Sequence, residues 1–231
     1  MKVGVIGALG KMGTKVVLCT IEHPDCLLSF AVVKEKKSTD SNIPYYIYGE
    51  SLPPADVIID FSSREALPLT LNLAVTTKTP LVIGITGIND NELQAIKLAA
   101  KKIPVFCASN FSFGAALTIH LAKQIAPFIS TFTNSITETH HIHKKDSPSG
   151  TAISLKDALV NSNPKLSLPI ESIREGEVIG KHTLICLSNE EKITLSHESF
   201  SRDVFAKGAL KAAFFLQSQK NGLYSMEDLF L

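Results

Sequence analysis

Three histidines, two lysines and a small hydroxyl-rich turn share one run, Glu138-Thr-His-His-Ile-His-Lys-Lys-Asp-Ser-Pro-Ser-Gly-Thr-Ala152. Histidine titrates near neutrality and can hand over a proton, and lysine brings a fixed positive charge. A helix opening at Pro148, Ser149, Gly150 and Thr151 would add unpaired backbone N–H groups and a partial positive charge. Together these residue types are chemistry for an anion and a proton. The Thr, Ile and His alternation over 135–143 reads as a strand and 152–162 as the helix. On a strand His140 and His141 point to opposite faces while the chain carries Lys144 to the helix mouth. Only one of those two histidines need be chemical.

A second constellation lies at the N-terminus. An apolar run ends in Gly7, Ala8, Leu9, Gly10, Lys11, Met12 and Gly13, a glycine turn placed after a first strand and before a helix. Such a turn lets a pyrophosphate approach the backbone at the helix N-terminus. Leu9 stands where the middle glycine of the usual G-x-G-x-x-G belongs, so the spacing here is G-x-x-G-x-x-G. Two later turns, Gly84-Ile-Thr86-Gly87 and Ala108-Ser109-Asn110-Phe111, follow strand-like runs, and the strand ends of an open parallel sheet converge on one crevice. After the second strand come Lys34, Glu35, Lys36 and Lys37. Glu35 is the candidate for a ribose hydroxyl, whereas the lysines favour a 2′-phosphate, which leans the reading to NADPH over NADH. The competing reading is a solvated loop whose lysines serve solubility.

The elements needed to hold these groups follow from periodicity. Runs at 2–6, 27–33, 56–60, 81–84 and 105–108 are β-branched-rich and almost continuously apolar, as in a parallel sheet covered on both faces. Helical patterns separate several of them: one over 11–22, one with the capping-box form Ser62-x-x-Glu65 and Pro68 as a residue that can delay the helix, and one capped by Asp90. The expected fold class is α/β, a Rossmann-like doubly wound parallel sheet. The second half departs from this pattern, with an apolar helix over 115–128, the histidine strand, its helix, and alternating strands over 181–187 and 192–198. That is an inserted α+β domain with an open sheet. A helical tail from about residue 205 is expected to return to the first domain, which divides the chain into 1–111 with 203–231, and 112–202.

The 231 residues are 45% hydrophobic with a formal net charge of +1, the balance of a soluble globular chain with small-molecule partners rather than nucleic acid. No apolar stretch approaches the roughly 18 residues of a membrane span, and the glycine-broken start reads as a buried strand rather than a signal peptide. Cys19, Cys26, Cys107 and Cys186 show no C-x-x-C spacing and read as reduced core residues in a reducing cytoplasm. No metal is expected at the histidines, because neighbouring strand positions diverge and Lys144 and Lys145 oppose a cation. His120 and His197 read as ordinary helix and sheet residues.

The glycine turn, Asp60-Phe61, Gly84 to Gly87, Asn110-Phe111-Ser112 and above all the block from Glu138 to Ala152 resemble the 4-hydroxy-tetrahydrodipicolinate (dihydrodipicolinate) reductase family of the diaminopimelate and lysine pathway. The likeness continues through Arg174-Glu-Gly176, Val178 to Thr183, Ser201-Arg202, Phe205 to Ala209 and Gly222 to Met226. It implies a nucleotide-binding domain and an inserted domain that binds a cyclic dicarboxylate and builds a homotetramer. It also implies His140 as general acid, Lys144 as its proton-transfer and carboxylate-binding partner, and His141, Ser149, Gly150 and Thr151 as substrate ligands. Two departures bear on these roles. Arg174-Glu-Gly176 runs almost directly into Val178, where the family has further sequence, and Ile142 stands where a basic residue is common. The rival readings are a dehydrogenase of another imino or amino dicarboxylate and a nucleotide-binding sensor without turnover.

Overall fold

A computed structural model describes residues 1–35 and 42–230. The chain divides into two compact units, one formed by 1–111 with 203–229, the other by 112–202 with Phe230.

The first unit is built on seven strands: β1 (Lys2–Ile6), β2 (Leu27–Val32), β3 (Tyr45–Tyr46), β4 (Val57–Asp60), β5 (Leu81–Ile83), β6 (Pro104–Cys107) and β11 (Gly222–Tyr224). They lie in the order β11-β6-β5-β4-β1-β2-β3, with every pair parallel. Sequence order reverses at β1 and β4, the place where an open α/β sheet leaves a crevice beyond its strand ends. Every residue of β4 and β5 is buried, the pattern of strands covered on both faces. The covering helices are α1 (Lys11–Glu22), α2 (Leu67–Thr77), α3 (Asp90–Ala100) and α6 (Asp203–Leu216). Ile58, Leu67, Leu81, Ile83, Ile96 and Val105 belong to one continuous core. Close approach of α6 depends on small residues: a Cβ on Gly208 would stand 1.7 Å from the Phe111 carbonyl oxygen. The chain from Asp203 onward belongs to the first unit and adds β11 at the sheet edge.

The second unit has a four-stranded sheet in the order β10-β9-β7-β8, made of β7 (Thr133–His140), β8 (Ile170–Arg174), β9 (Gly180–Leu187) and β10 (Lys192–Ser199). Only β7 and β8 are parallel. Helices α4 (Phe113–Ile125) and α5 (Gly150–Ser162) supply Ala122, Ala152, Leu155 and Leu159 to a core with Ile136, Leu184 and Cys186.

Several local expectations are corrected. Ser62 does not cap α2: its N–H donates to the Asp60 carboxylate, and Pro68 sets the helix start by occupying the first turn, where a missing N–H costs nothing. The cap of α3 is Asn89, one residue before Asp90, in a reciprocal box with Glu92. The histidine strand ends at His140 rather than 143, because the Glu175 and His141 N–H groups turn to the His140 and Val178 carbonyls, closing a loop there. Of the four cysteines only Cys186 is buried; Cys19, Cys26 and Cys107 are half-buried, and all four are free thiols. Strands β3, β8 and β11 went unread, being two, five and three residues long.

Candidate active site

Strand alternation builds the polar centre of the second unit. Along β7 the buried positions are Asn134, Ile136, Glu138 and His140, so the acid and the histidine two residues on share the face that covers the core. Register brings in the rest: Glu138 pairs with His182 of β9, and His140 with Arg174 of β8. Glu138 is fully buried, and His140 and His182 are each 6% exposed. One carboxylate oxygen of Glu138 accepts from His140 Nδ1. The other accepts from Arg174 Nη2 at 2.9 Å and from the Ser149 N–H at 3.2 Å. The same Arg174 nitrogen donates to the Asp146 carbonyl at 2.7 Å, which fastens the loop after β7.

Ser149 is the N-cap of α5, its hydroxyl accepting from the Ala152 N–H at 3.2 Å. The hydroxyl also lies 2.9 Å from His182 Nε2, and the His140 and His182 rings meet edge to face at 5.1 Å. The other ring nitrogen of His182, Nδ1, is buried without a hydrogen-bond partner. No acidic residue stands in the first turn of α5, and a Cβ on Gly150 would meet nothing within 4 Å. Open space at the positive end of a helix dipole suits an anion. Lys144 Nζ pairs with the Asp146 carboxylate at 2.8 Å, its backbone N–H donates to the His141 carbonyl, and the His141 and His143 rings lie 6.3 Å apart. Ile142 is exposed.

Burial dominates the titration behaviour. It pushes His140 below the ordinary imidazole value, against the pull of Glu138, with Lys144 and Arg174 adding to the depression. It drives His182 to about 4, helped by the charge of His140. For Glu138 burial raises the pKa, but hydrogen bonds from Arg174, Ser172 and His140 outweigh it and hold the carboxyl below its usual range. The ligand atoms of Glu138, His140 and His182 all lie within 4.8 Å of one another, a donor set for a cation. Such an ion would meet the Arg174 guanidinium already on Glu138 and the Ser149 hydroxyl already on His182.

In the first unit, the turn after β1 carries Gly7 at φ +76°, a left-handed conformation that favours glycine. The Gly7 and Ala8 N–H groups donate to the Val32 carbonyl, and Gly10 is the N-cap of α1 without any side-chain cap. The first N–H groups of α1, on Lys11, Met12 and Gly13, face no acid in that turn. A Cβ on Gly13 would stand 2.0 Å from the Gly7 carbonyl oxygen, so helix and turn approach as only glycine allows. Leu9 is exposed where a middle glycine was looked for. Gly84 and Thr86 follow β5, and Ser109, Asn110 and Phe111 follow β6, so both turns leave the same sheet end as Gly7. The Phe111 ring is buried beside Phe61 and Phe106, at 5.5 and 5.9 Å, which leaves only its backbone for a ligand. Lys34 follows β2 and is exposed; Lys36 and Lys37 lie outside the described residues.

Residues 1–111 match the family described as dihydrodipicolinate reductase, N-terminus, and residues 114–230 match its C-terminus. The chain belongs to the dihydrodipicolinate reductase family. It is 37% identical to the 4-hydroxy-tetrahydrodipicolinate reductase of Campylobacter concisus (strain 13826), covering 99% of this chain and 97% of that one. Identity to the protein of the same name from Bdellovibrio bacteriovorus is 39%, covering 99% and 96%. In fold it is similar to dipicolinate-bound dihydrodipicolinate reductase from Paenisporosarcina sp. TG-14, with a TM-score of 0.86 at 22% identity over 99% of both chains.

Sequence reasoning gave Glu138, Arg174 and His182 no role, yet these three hold His140 and Ser149. The i, i+2 spacing of Glu138 and His140 on a strand was a usable signal; the pairing of His182 and Arg174 with them depends on register between distant segments. No helix among the described residues is long and apolar enough to cross a membrane.

Proposed function

We propose that the protein reduces 4-hydroxy-tetrahydrodipicolinate to tetrahydrodipicolinate in diaminopimelate and lysine biosynthesis, using NADPH in preference to NADH. The observation that carries this reading is the Glu138–His140 pair tied to Ser149 at the mouth of α5, in a chain related over nearly its whole length to reductases of that name.

The residues around α1 fit a dinucleotide. The helix start lacks a side-chain cap, and the Gly7–Gly13 contact leaves no room for side chains between turn and helix. Gly7, Ala8, Leu9, Gly10, Lys11, Met12 and Gly13 would hold the pyrophosphate, and Lys34 a 2′-phosphate. Gly84, Thr86, Ser109, Asn110 and the Phe111 backbone would complete the site. When bound, the nicotinamide supplies the hydride.

In the second unit the N–H groups of Gly150 and Thr151, the Ser149 cap, His141 and Lys144 take the substrate carboxylates. Lys144 must exchange Asp146 for the substrate to do so. A dianion beside His140 adds negative charge and draws its depressed pKa back towards neutrality, where the imidazolium is both populated and acidic. Loss of the 4-hydroxyl as water leaves a conjugated imine, and His140 delivers its proton to the enamine-like anion left when that imine is reduced, while Lys144 and the helix N-terminus stabilise that charge. The open face of the second sheet, with Leu187 and Ile193 exposed, supports a homotetramer, and the cytoplasm is the compartment that fits four free thiols.

The test is NADPH and NADH oxidation by purified protein, with substrate formed from pyruvate and aspartate semialdehyde by a dihydrodipicolinate synthase. Turnover that depends on both precursors supports the reading. Silence from protein shown separately to bind NADPH would move it to another imino dicarboxylate or to a sensor.

A further inference from the structure

We propose that Glu138 is the positioning residue for proton delivery: a single carboxylate orients the His140 imidazole through Nδ1 and ties it to the turn that opens α5. This rests on the reading of His140 as general acid. A carboxylate only accepts, so the shared proton resides on His140 Nδ1 and the exchangeable one on Nε2. Nε2 is the edge that faces Gly180, where a Cβ would lie 3.0 Å from it, so glycine there keeps the donor atom uncovered. The far oxygen of Glu138 is held by Arg174 Nη2 and the Ser149 N–H, which prevents the carboxylate from turning away. Movement of the α5 mouth therefore carries the imidazole with it, keeping acid and anion-binding turn in register.

Charge gives the carboxylate a second task. A ring that is 6% exposed and has Arg174 and Lys144 as cationic neighbours would resist protonation, and Glu138 is the counter-charge that permits it. In the step itself the His140 Nε2–H bond breaks and a C–H bond forms on the reduced substrate. The ring is left neutral with its Nδ1 proton still on Glu138, and solvent returns the Nε2 proton. No proton passes to Glu138.

The test is Glu138→Gln, which keeps the shape and the acceptor for Arg174 and the Ser149 N–H but removes the charge. Turnover should fall on the order of 10²-fold, the scale of a general acid–base contribution. NADPH affinity should stay within about twofold, since the change leaves the first unit untouched. In cofactor-free protein, the NMR titration of the His140 ring should move down by about one pH unit or more. Wild-type turnover in the amide, or lost turnover with the His140 titration unmoved, would overturn the proposal. If His140→Ala turns over like wild type, the acid assignment falls and the proposal with it; a crippled His140→Ala beside an unimpaired Glu138→Gln overturns the proposal alone. Should the amide fail to fold, Glu138→Asp withdraws the carboxylate by one methylene and must also slow turnover while leaving NADPH affinity intact.

Discussion

Replacing Gly13 by alanine adds a single methyl group, and the structure sets what that methyl must displace. Its position lies 2.0 Å from the Gly7 carbonyl oxygen, whereas ordinary contact begins at 3.4 Å, so α1 and the turn must part by roughly 1.4 Å. Both sides of that contact are backbone, so no side chain can swing aside. A shift of this size stretches an N–H···O bond of about 2.9 Å beyond bonding range. Hydrogen bonds to a charged group contribute about 1.5–3 kcal/mol each. Losing the better part of two from Lys11, Met12 and Gly13 raises the NADPH Kd by about 10²-fold or more. Overpacking should also cost about 1–3 kcal/mol of stability in the first unit. Gly10→Ala is the graded comparison, because its Cβ would stand 3.1 Å from the same oxygen and needs only a few tenths of an ångström. Calorimetric titration of NADPH into the three proteins, with melting curves beside it, reads both effects. Threefold or smaller loss in a folded Gly13→Ala would refute the assignment of the pyrophosphate to the start of α1.

Arg174→Met leaves the buried Glu138 without its guanidinium partner, with His140, Ser172 and the Ser149 N–H still on it, and should destabilise the second unit by about 3 kcal/mol at pH 7 in urea unfolding. Because the Glu138 carboxyl is depressed, that deficit is fully present above the unfolded value of 4.5 and shrinks as pH falls through the folded one. His182 titrates at about 4 folded against 6.5 unfolded, so the unfolded chain takes up the extra proton between those values. Stability should therefore fall as pH drops from 6.5 to 4, by up to about 3 kcal/mol, and His182→Gln should flatten that stretch of the profile. Ser149→Ala removes the α5 cap and the partner of His182; a loss of about 1–2 kcal/mol and a raised substrate KM are expected from unfolding and steady-state kinetics. Lys34→Ala should weaken NADPH more than NADH in paired titrations, and equal losses would count against 2′-phosphate recognition.

The parallel sheet was legible because strands buried on both faces write continuous apolar runs, as in Val57 to Ile59 and Leu81 to Ile83, and because a glycine turn punctuates the first of them. The mouth of α5 was legible from Ser149, a residue that favours caps. The polar centre around it was not. Glu138, His182 and Arg174 stand on three strands, and what makes them a group is the register Glu138 to His182 and His140 to Arg174, which no local pattern encodes. Short strands such as β3 and β11 carry too few residues for alternation to register. The caps of α2 and α3 went astray for simpler reasons: Asn89 and Asp90 are adjacent acceptors at the start of α3, and α2 begins only at Leu67, five residues beyond Ser62, whose N–H is bonded to Asp60.

The most direct measurement is the turnover of His140→Ala against wild type in the coupled pyruvate and aspartate semialdehyde assay, with NADPH affinity measured on both. The account predicts wild-type turnover, a fall of about 10²–10⁴-fold in the variant, and an unchanged NADPH Kd. Equal turnover in the two proteins would contradict it, because the proton would then come from a group other than the one Glu138, Arg174 and Ser149 are arranged around.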